Sequence, residues 1–423
     1  MPGQCAVILA KGRHRLTTSG FRRANLLRMG QPHPRPQTPQ RPHGRREPFI
    51  MRTSPKFCIV GAGAIGGTIA ALLARCGATV SVVARGQTLA ALKRNGLRLM
   101  IDGEMLQTPV QVSEDPSALG MQDYVIVAVK APSLRDIARQ IHPLLGPETV
   151  VVTAMNGVPW WFSLKAESLL AGRRLESIDP HGRIAKAIPP SKVIGCVVYI
   201  AASVDEPGVI RHHRGRQLIV GEPDNQLTPR LECLADWLRR AGVDCLESAD
   251  IHRNIWLKLL ANLSMNPISL LTTATADRII DDTLVHKLCT SMMQEAAQIG
   301  AVIGISDSPP VENMIDQVRS LGAFKMSMLQ DVEHCRTVEI DALLTVIHEI
   351  GSLVGVATPF IDAVLGLARL RASSLGLLDS ETASDADPSS RIHAVRSTAP
   401  SSAASGRISR SGPRFRRNSS RPN

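Results

Sequence analysis

The stretch Lys56-Phe-Cys-Ile-Val-Gly-Ala-Gly-Ala-Ile-Gly-Gly67 constrains the fold of this chain more than any other. Phe57 to Val60 form an apolar run of strand length. Gly61, Gly63 and Gly66 follow in G-x-G-x-x-G spacing, and Ile69 to Ala74 continue as an Ala/Leu-rich helix. In that strand–turn–helix context the first glycine permits the tight turn, the second lets backbone approach a pyrophosphate, and the third packs helix on strand. The helix N-terminus offers N–H groups and partial positive charge to phosphates. The candidate cofactor loop is therefore Gly61, Ala62, Gly63, Ala64, Ile65 and Gly66. The competing reading is a glycine-rich turn between two core elements.

Beyond the loop, period-2 and period-3.6 patterns alternate. Strands are expected at Thr79–Ala84, Leu97–Met100, Leu106–Val112, Tyr124–Val129 and Thr149–Ala154, with helices at Gln87–Arg94 and Leu134–Leu145. Such alternation predicts a doubly wound, mostly parallel sheet. Residues 158–190 break the rhythm with Pro159-Trp-Trp-Phe162 and a polar stretch. Strand patterns resume at Val193–Ala202, Gly208–His212, Gln217–Gly221 and Asp244–Glu247, with a helix at Thr228–Ala241. From Ile251 the apolar spacing becomes i, i+3, i+4, predicting helices at Ile251–Leu271, Thr283–Ile303, Val311–Val318, Val338–Val354 and Pro359–Ala372. The expected organisation is a basic extension (1–55), an α/β Rossmann-type NADP-binding domain (56–248), an all-α substrate and catalytic domain (249–376) and a basic tail (377–423).

A net charge of +12 suggests nucleic acid, but its distribution does not. Residues 1–55 carry eleven Lys/Arg against one acid, and 380–423 carry eight Arg against three acids, which leaves 56–379 slightly acidic. The folded part is thus not expected to bind nucleic acid. Both ends lack hydrophobic periodicity and are expected to be disordered. Three readings of 1–55 stay open, in decreasing weight: a start at Met51, an Arg-rich transit peptide, and a nucleic-acid arm. Eight cysteines without a C-x-x-C pair argue for a reduced, cytoplasmic protein with neither disulfide framework nor zinc site. No apolar run is long enough to span a membrane.

Polar residues narrow the chemistry. An NAD site usually ends its second strand with an acid that binds the ribose 2′-hydroxyl. Here that place holds Arg85, whose guanidinium suits the 2′-phosphate of NADP; the plain alternative is a solvated arginine after a strand. In the later helical region Lys258, Asn262 and Asn266 lie at i, i+4 and i+8 among apolar residues, so they share one helix face. Such a row is costly unless it lines a polar cleft; the plain alternative is a solvated stripe. A partly desolvated lysine can donate a proton near neutral pH. Pro267 is expected to kink or end this helix. A second cluster runs from Ser327 through a charged turn to Glu339 at a helix start, where an acid also suits the helix dipole.

With these residues assembled, the chain resembles the ketopantoate reductase (2-dehydropantoate 2-reductase) family over roughly residues 56–375. The resemblance rests on Gly61-Ala-Gly-Ala-Ile-Gly66, Val127-Ala-Val-Lys130, Met155-Asn156-Gly157, Lys258…Asn262…Asn266-Pro267, Ser327-Met-Leu-Gln-Asp331 and Arg336-Thr-Val-Glu-Ile-Asp341. It implies a Rossmann-type domain joined to a helical domain like that of 6-phosphogluconate dehydrogenase, with the site in the cleft between. It further implies NADPH as cofactor, a 2-oxo acid as substrate and Lys258 as proton donor. Asn262, Asn266 and Ser327 become substrate-binding residues, and Asn156 stands where cofactor and substrate meet. Arg85 and Lys130 fall at the adenosine and ribose of the cofactor, and Glu339 closes the cleft. By analogy with two-domain reductases that pair through their helical domains, a homodimer is expected.

Three departures from the family pattern bear on the substrate. Ala276 stands where a further asparagine contacts the substrate's terminal hydroxyl. Residues 158–190 are longer than in compact members, and Trp160-Trp161-Phe162 either reshape the pocket or pack on the sheet. Cys335-Arg-Thr replaces the usual Gly-Arg-Pro before Glu339. Reduction of a different 2-oxo acid, and a non-catalytic NADP-binding regulator, are the alternative readings.

Overall fold

The computed structural model describes residues 54–165, 168–305 and 308–378. The expectations about the two basic ends therefore lie outside the described residues, apart from 54–55 and 377–378. The chain starts as β1 (Lys56–Val60), α1 (Ala64–Arg75), β2 (Thr79–Val83), α2 (Gly86–Asn95), β3 (Leu97–Ile101), β4 (Glu104–Thr108) and β5 (Gln111–Ser113). It continues with β6 (Gln122–Val127), α3 (Leu134–Gln140), β7 (Leu145–Thr153), α4 (Arg183–Ala187), β8 (Val193–Glu206), β9 (Val209–Gly221), α5 (Pro229–Arg240) and β10 (Asp244–Glu247). These strands make one sheet in the order β4-β3-β9-β8-β7-β6-β1-β2-β5, with β10 beside β9. Only β3/β4 and β8/β9 pair antiparallel among the described residues. The rest is helical: α6 (Ile251–Thr272), α7 (Ala276–Asp281), α8 (Thr283–Val302), α9 (Val311–Arg319), α10 (Ser327–Glu333), α11 (Val346–Val354) and α12 (Pro359–Ser374).

Several expected elements are corrected. Leu106–Val112 is not one strand. It breaks around Pro109, which has no N–H for a ladder, so β4 ends on β3 while β5 joins β2 at the opposite edge. Gly208–His212 and Gln217–Gly221 are two ends of one strand, β9, which follows β8 through register shifts. Gly215 is needed there: its φ is +71° and a Cβ would lie 2.3 Å from the Tyr199 carbonyl oxygen. The helices α7 and α10 are too short for periodicity to register, and the stretch read as a charged turn is α10. The helix expected to start at Val338 opens with a π turn at Asp341–Thr345 before α11. The helix expected at Ile251–Leu271 is α6, which runs to Thr272, so of the two expectations for Pro267 the helix end is the one that fails. Leu263, Met265, Ile268 and Leu270 are buried along this stretch, and their packing offsets the missing backbone hydrogen bond.

The strand period of two splits the core. Phe57, Ile59, Val82 and Ile126 face α1 and α5. Cys58, Val60, Val127 and Val151 face the other way, into a core shared with α6, α8 and α12. Trp256 of α6 anchors this second core: its Nε1 donates to the Ala296 carbonyl at 3.2 Å, and its ring stacks on Phe162 at 5.8 Å. The helical region is thus packed directly against the sheet, and the cleft between them opens at the C-terminal ends of the parallel strands.

His252, on α6, is fully buried, edge-on to Trp161 at 5.5 Å and 5.1 Å from Phe162. Burial pushes its pKa from 6.5 down to about 4, against the opposing pull of Asp250. The unfolded chain takes up this proton near pH 6.5 and the folded chain only near 4. The stability carried by the neutral ring is therefore complete above pH 6.5 and is lost as pH falls toward 4. Melting temperature should drop across that window, and His252→Leu should flatten the drop; an unaltered slope would assign it to carboxylates instead.

Candidate active site

The glycine loop has the geometry its spacing requires. Gly61 has φ +100°, and its N–H donates to the Val83 carbonyl at 3.2 Å, tying β1 to β2. A Cβ on Gly66 would lie 2.0 Å from the Gly61 carbonyl oxygen, so only glycine lets α1 approach this closely. Gly63 is exposed, nothing lies within 4 Å of where its Cβ would be, and no side chain caps the N-terminus of α1. The loop is an open cradle beside a helix N-terminus, a shape that fits a pyrophosphate. Arg85, exposed at the start of α2, stands two residues after Val83 and so next to this loop. No carboxylate pairs with it among the described residues.

The polar row of α6 descends from cleft to core. Lys258 and Asn262 are half-buried, whereas Asn266 is buried. Lys258 Nζ donates to Asn156 Oδ1 at 2.8 Å and to the Val198 carbonyl at 2.7 Å, which joins α6 to the loop after β7 and to the middle of β8. Burial lowers its pKa to about 8, while Cys196 and Glu339 act in the opposite direction. Asn262 makes no hydrogen bond to the protein among the described residues. Asn266 Oδ1 accepts from Ser327 Oγ at 2.9 Å and from the Met328 N–H at 3.1 Å, so it caps the first turn of α10. The two asparagines share a face but not a role.

A second set of contacts crosses the cleft. Lys130, after β6, pairs with Asp331 of α10 at 2.6 Å and donates to the Thr337 carbonyl at 2.9 Å. The Ala131 N–H donates to Glu339 Oε1 at 3.0 Å. Glu339 and Asp331 are both buried, and burial raises the pKa of each; Lys130 counters this at both, through its bond to Asp331 and its charge near Glu339. Asn156 is fixed from behind. Gly157 has φ +81°, a Cβ there would lie 2.3 Å from the Ala342 carbonyl oxygen, and the Val158 N–H donates to that oxygen at 3.0 Å.

The aromatic triplet divides. Trp161 and Phe162 are core, packed on His252 and Trp256. Trp160 instead lines a mainly apolar cavity with Met155, Asn156, Ile178 and Glu339. Ile178 belongs to the 158–190 segment, which is pinned by Glu349 of α11 accepting from the Glu176 and Ser177 N–H groups. Within that segment Asp179 caps α4 through the Ile184 and Ala185 N–H groups.

Three parts of the site escape sequence reasoning. The carbonyls of Val198 and Thr337 carry no side-chain signal at all. Tyr199, whose ring centroid lies 5.7 Å from Lys258 Nζ, is one of only two tyrosines in the chain, and that scarcity was the available hint.

The split between the two asparagines is testable. Asn266→Ala leaves the buried Met328 N–H unpaired and should cost about 1–3 kcal/mol in urea unfolding. Asn262→Ala should leave stability within about 0.5 kcal/mol, as for a residue with no protein partner. Equal losses would contradict the assignment of Asn266 as the cap of α10.

Comparison with known proteins identifies the family. Residues 57–225 match the family model described as ketopantoate reductase PanE/ApbA, and residues 250–372 match its C-terminal counterpart. The 2-dehydropantoate 2-reductase of Mesorhizobium japonicum is 46% identical over 322 residues, covering 76% of this chain and 99% of that one. A crystal structure from Ralstonia solanacearum MolK2, assigned as a ketopantoate reductase, is 51% identical with a TM-score of 0.74, covering 77% of this chain and all of that one. The fold extends to a D-mandelate dehydrogenase solved with NADH and anilino(oxo)acetate, at 22% identity and a TM-score of 0.66 over 76% of this chain and 99% of that one. The two-part match and the 46% identity place the chain in the ketopantoate reductase family of nicotinamide-dependent oxidoreductases.

Proposed function

We propose that this chain reduces a 2-oxo acid with NADPH, 2-dehydropantoate to (R)-pantoate in coenzyme A biosynthesis being the first reaction to test. The observation that carries the reading is Lys258. Two of its three N–H donors are fixed by Asn156 and Val198, one remains uncommitted, and its pKa is near 8. NADPH, when bound, supplies the hydride for the carbonyl carbon. Residues 61–66 and the N-terminus of α1 would hold its pyrophosphate, Arg85 its 2′-phosphate, and Lys130, Asn156 and Glu339 its nicotinamide end. Lys258 stabilises the negative charge that develops on the carbonyl oxygen and gives it a proton. Asn262 offers a whole amide to the substrate, and Ser327, whose hydroxyl hydrogen is directed at Asn266, offers an acceptor oxygen. Asn266 contributes mainly by holding Ser327 in place. In this reading the cofactor half is 56–248 and the substrate half 249–376, in a protein of the cytoplasm.

A second reading keeps the chemistry and changes the acid. Ala276 is fully buried and its N–H is bonded to the Phe324 carbonyl at 2.9 Å, so this position offers no polar side chain to a terminal hydroxyl.

Lys258→Ala should lower kcat by roughly 10²–10⁴-fold, the range of a lost general acid, with NADPH affinity unchanged. A near-wild-type rate would sink the mechanism. Because the protonated lysine is the active form and its pKa of about 8 is that of the ligand-free protein, wild-type kcat/KM should fall through a single ionisation as pH rises past about 8. For the cofactor, Arg85→Ala should raise KM for NADPH about tenfold or more, the worth of one charged hydrogen bond, without raising that for NADH. Equal wild-type efficiency with both cofactors would contradict the role of Arg85.

A further inference from the structure

We propose that Arg214, Phe324 and Tyr199 form a distal recognition site in the substrate cleft, and that it takes a second carboxylate on the tail of the 2-oxo acid. The inference rests on the 2-oxo-acid reductase reading above and specifies its substrate class.

The row on α6 gives the cleft a direction. Lys258 marks the reacting end. Asn266, eight residues on, lies about 12 Å further along the helix, where it holds Ser327. Three residues before Ser327 stands Phe324, whose carbonyl is anchored by the Ala276 N–H. Residue 276 therefore supports the turn that carries Phe324 and has no exposed surface of its own.

Arg214 reaches Phe324 from β9 of the sheet. Its guanidinium carbon lies 4.7 Å from the ring centroid. On the same strand, Arg211 is paired with Asp205 and Arg216 with Asp102. Arg214 is exposed and has no carboxylate partner among the described residues. The strand geometry next connects Arg214 back to the reacting end. Its neighbour Gly215 abuts the Tyr199 carbonyl, and the Tyr199 ring lies 5.7 Å from Lys258 Nζ. A chain of contacts thus runs from Lys258 through Tyr199, Arg214, Phe324 and Ser327 to Asn266 and returns to α6.

The chemistry of this far end differs from that of an amide that recognises a hydroxyl. A guanidinium stacked on an aromatic face keeps its edge N–H groups available, and that edge matches a carboxylate with two parallel hydrogen bonds. Phe324 acts as a positioning residue, since it holds the guanidinium plane by a cation–π contact.

The test compares matched acids on the full-length enzyme with NADPH: 2-oxoglutarate and 2-oxoadipate against 2-oxopentanoate and 2-oxohexanoate. Wild type should favour the diacids in kcat/KM by about tenfold or more, the worth of a charged hydrogen bond. Arg214→Gln should abolish that preference, acting through KM, and leave the monoacids within about twofold. Phe324→Leu should reduce the preference partway. An equal loss on both classes would give Arg214 a structural role only, and a wild type without diacid preference would overturn the proposal. Absence of turnover with every acid, 2-dehydropantoate included, would instead sink the reductase reading. In that case, calorimetric titration of 2-oxoglutarate into the protein with NADP⁺ decides the site: binding that Arg214→Gln removes keeps it, and no binding or an unchanged isotherm rejects it.

Discussion

An ammonium group with no salt-bridge partner among the described residues lies where α6 meets the loop after β7 and the middle of β8, held by an amide oxygen and a backbone carbonyl. Much of the structure follows from keeping Lys258 in that place. The Val198 carbonyl is available because β8 runs on past the end of β7. Asn156 is in position because Gly157 is pressed against Ala342. The lysine itself is fixed because Trp256, two residues earlier, is fully buried and locked to α8. Neutral hydrogen-bond acceptors orient the ammonium without raising its pKa as a carboxylate would, and burial then brings the pKa near 8.

Charge in the cleft is arranged around this group. Glu339 and Asp331 are buried with raised pKa values, and Lys130 and the Ala131 N–H reach them from the sheet side. The same contacts join the two halves of the site, so electrostatics and closure are coupled here. Breaking one partner of such a buried pair leaves the other unsatisfied, and that penalty exceeds the pair's own net contribution. This asymmetry makes the cross-cleft set a constraint on geometry more than a source of stability.

Much of the candidate site was legible before the fold. Gly61, Gly63 and Gly66 could be read because backbone conformation and close approach are local demands that only glycine meets. The Lys258–Asn262–Asn266 row could be read because helical periodicity places i, i+4 and i+8 on one face. Periodicity did not reveal that Asn266 turns inward to cap α10 while Asn262 stays in the cleft, since the difference depends on what packs against each. Nor could it divide Trp160 from Trp161 and Phe162, because three consecutive aromatics in a loop have no period.

The sequence by itself determined the α/β and helical parts, the glycine loop and the lysine row, since each depends on residues near one another in the chain. Tertiary structure decided the rest. The fate of Pro267, the splitting of Leu106–Val112 and the meeting of Arg214 with Phe324 all follow from contacts between distant segments. Their energies come from burial and from pairing across space, which no local pattern encodes. The Val198 carbonyl is the clearest case: every residue carries one, and only the fold brings this one to Lys258.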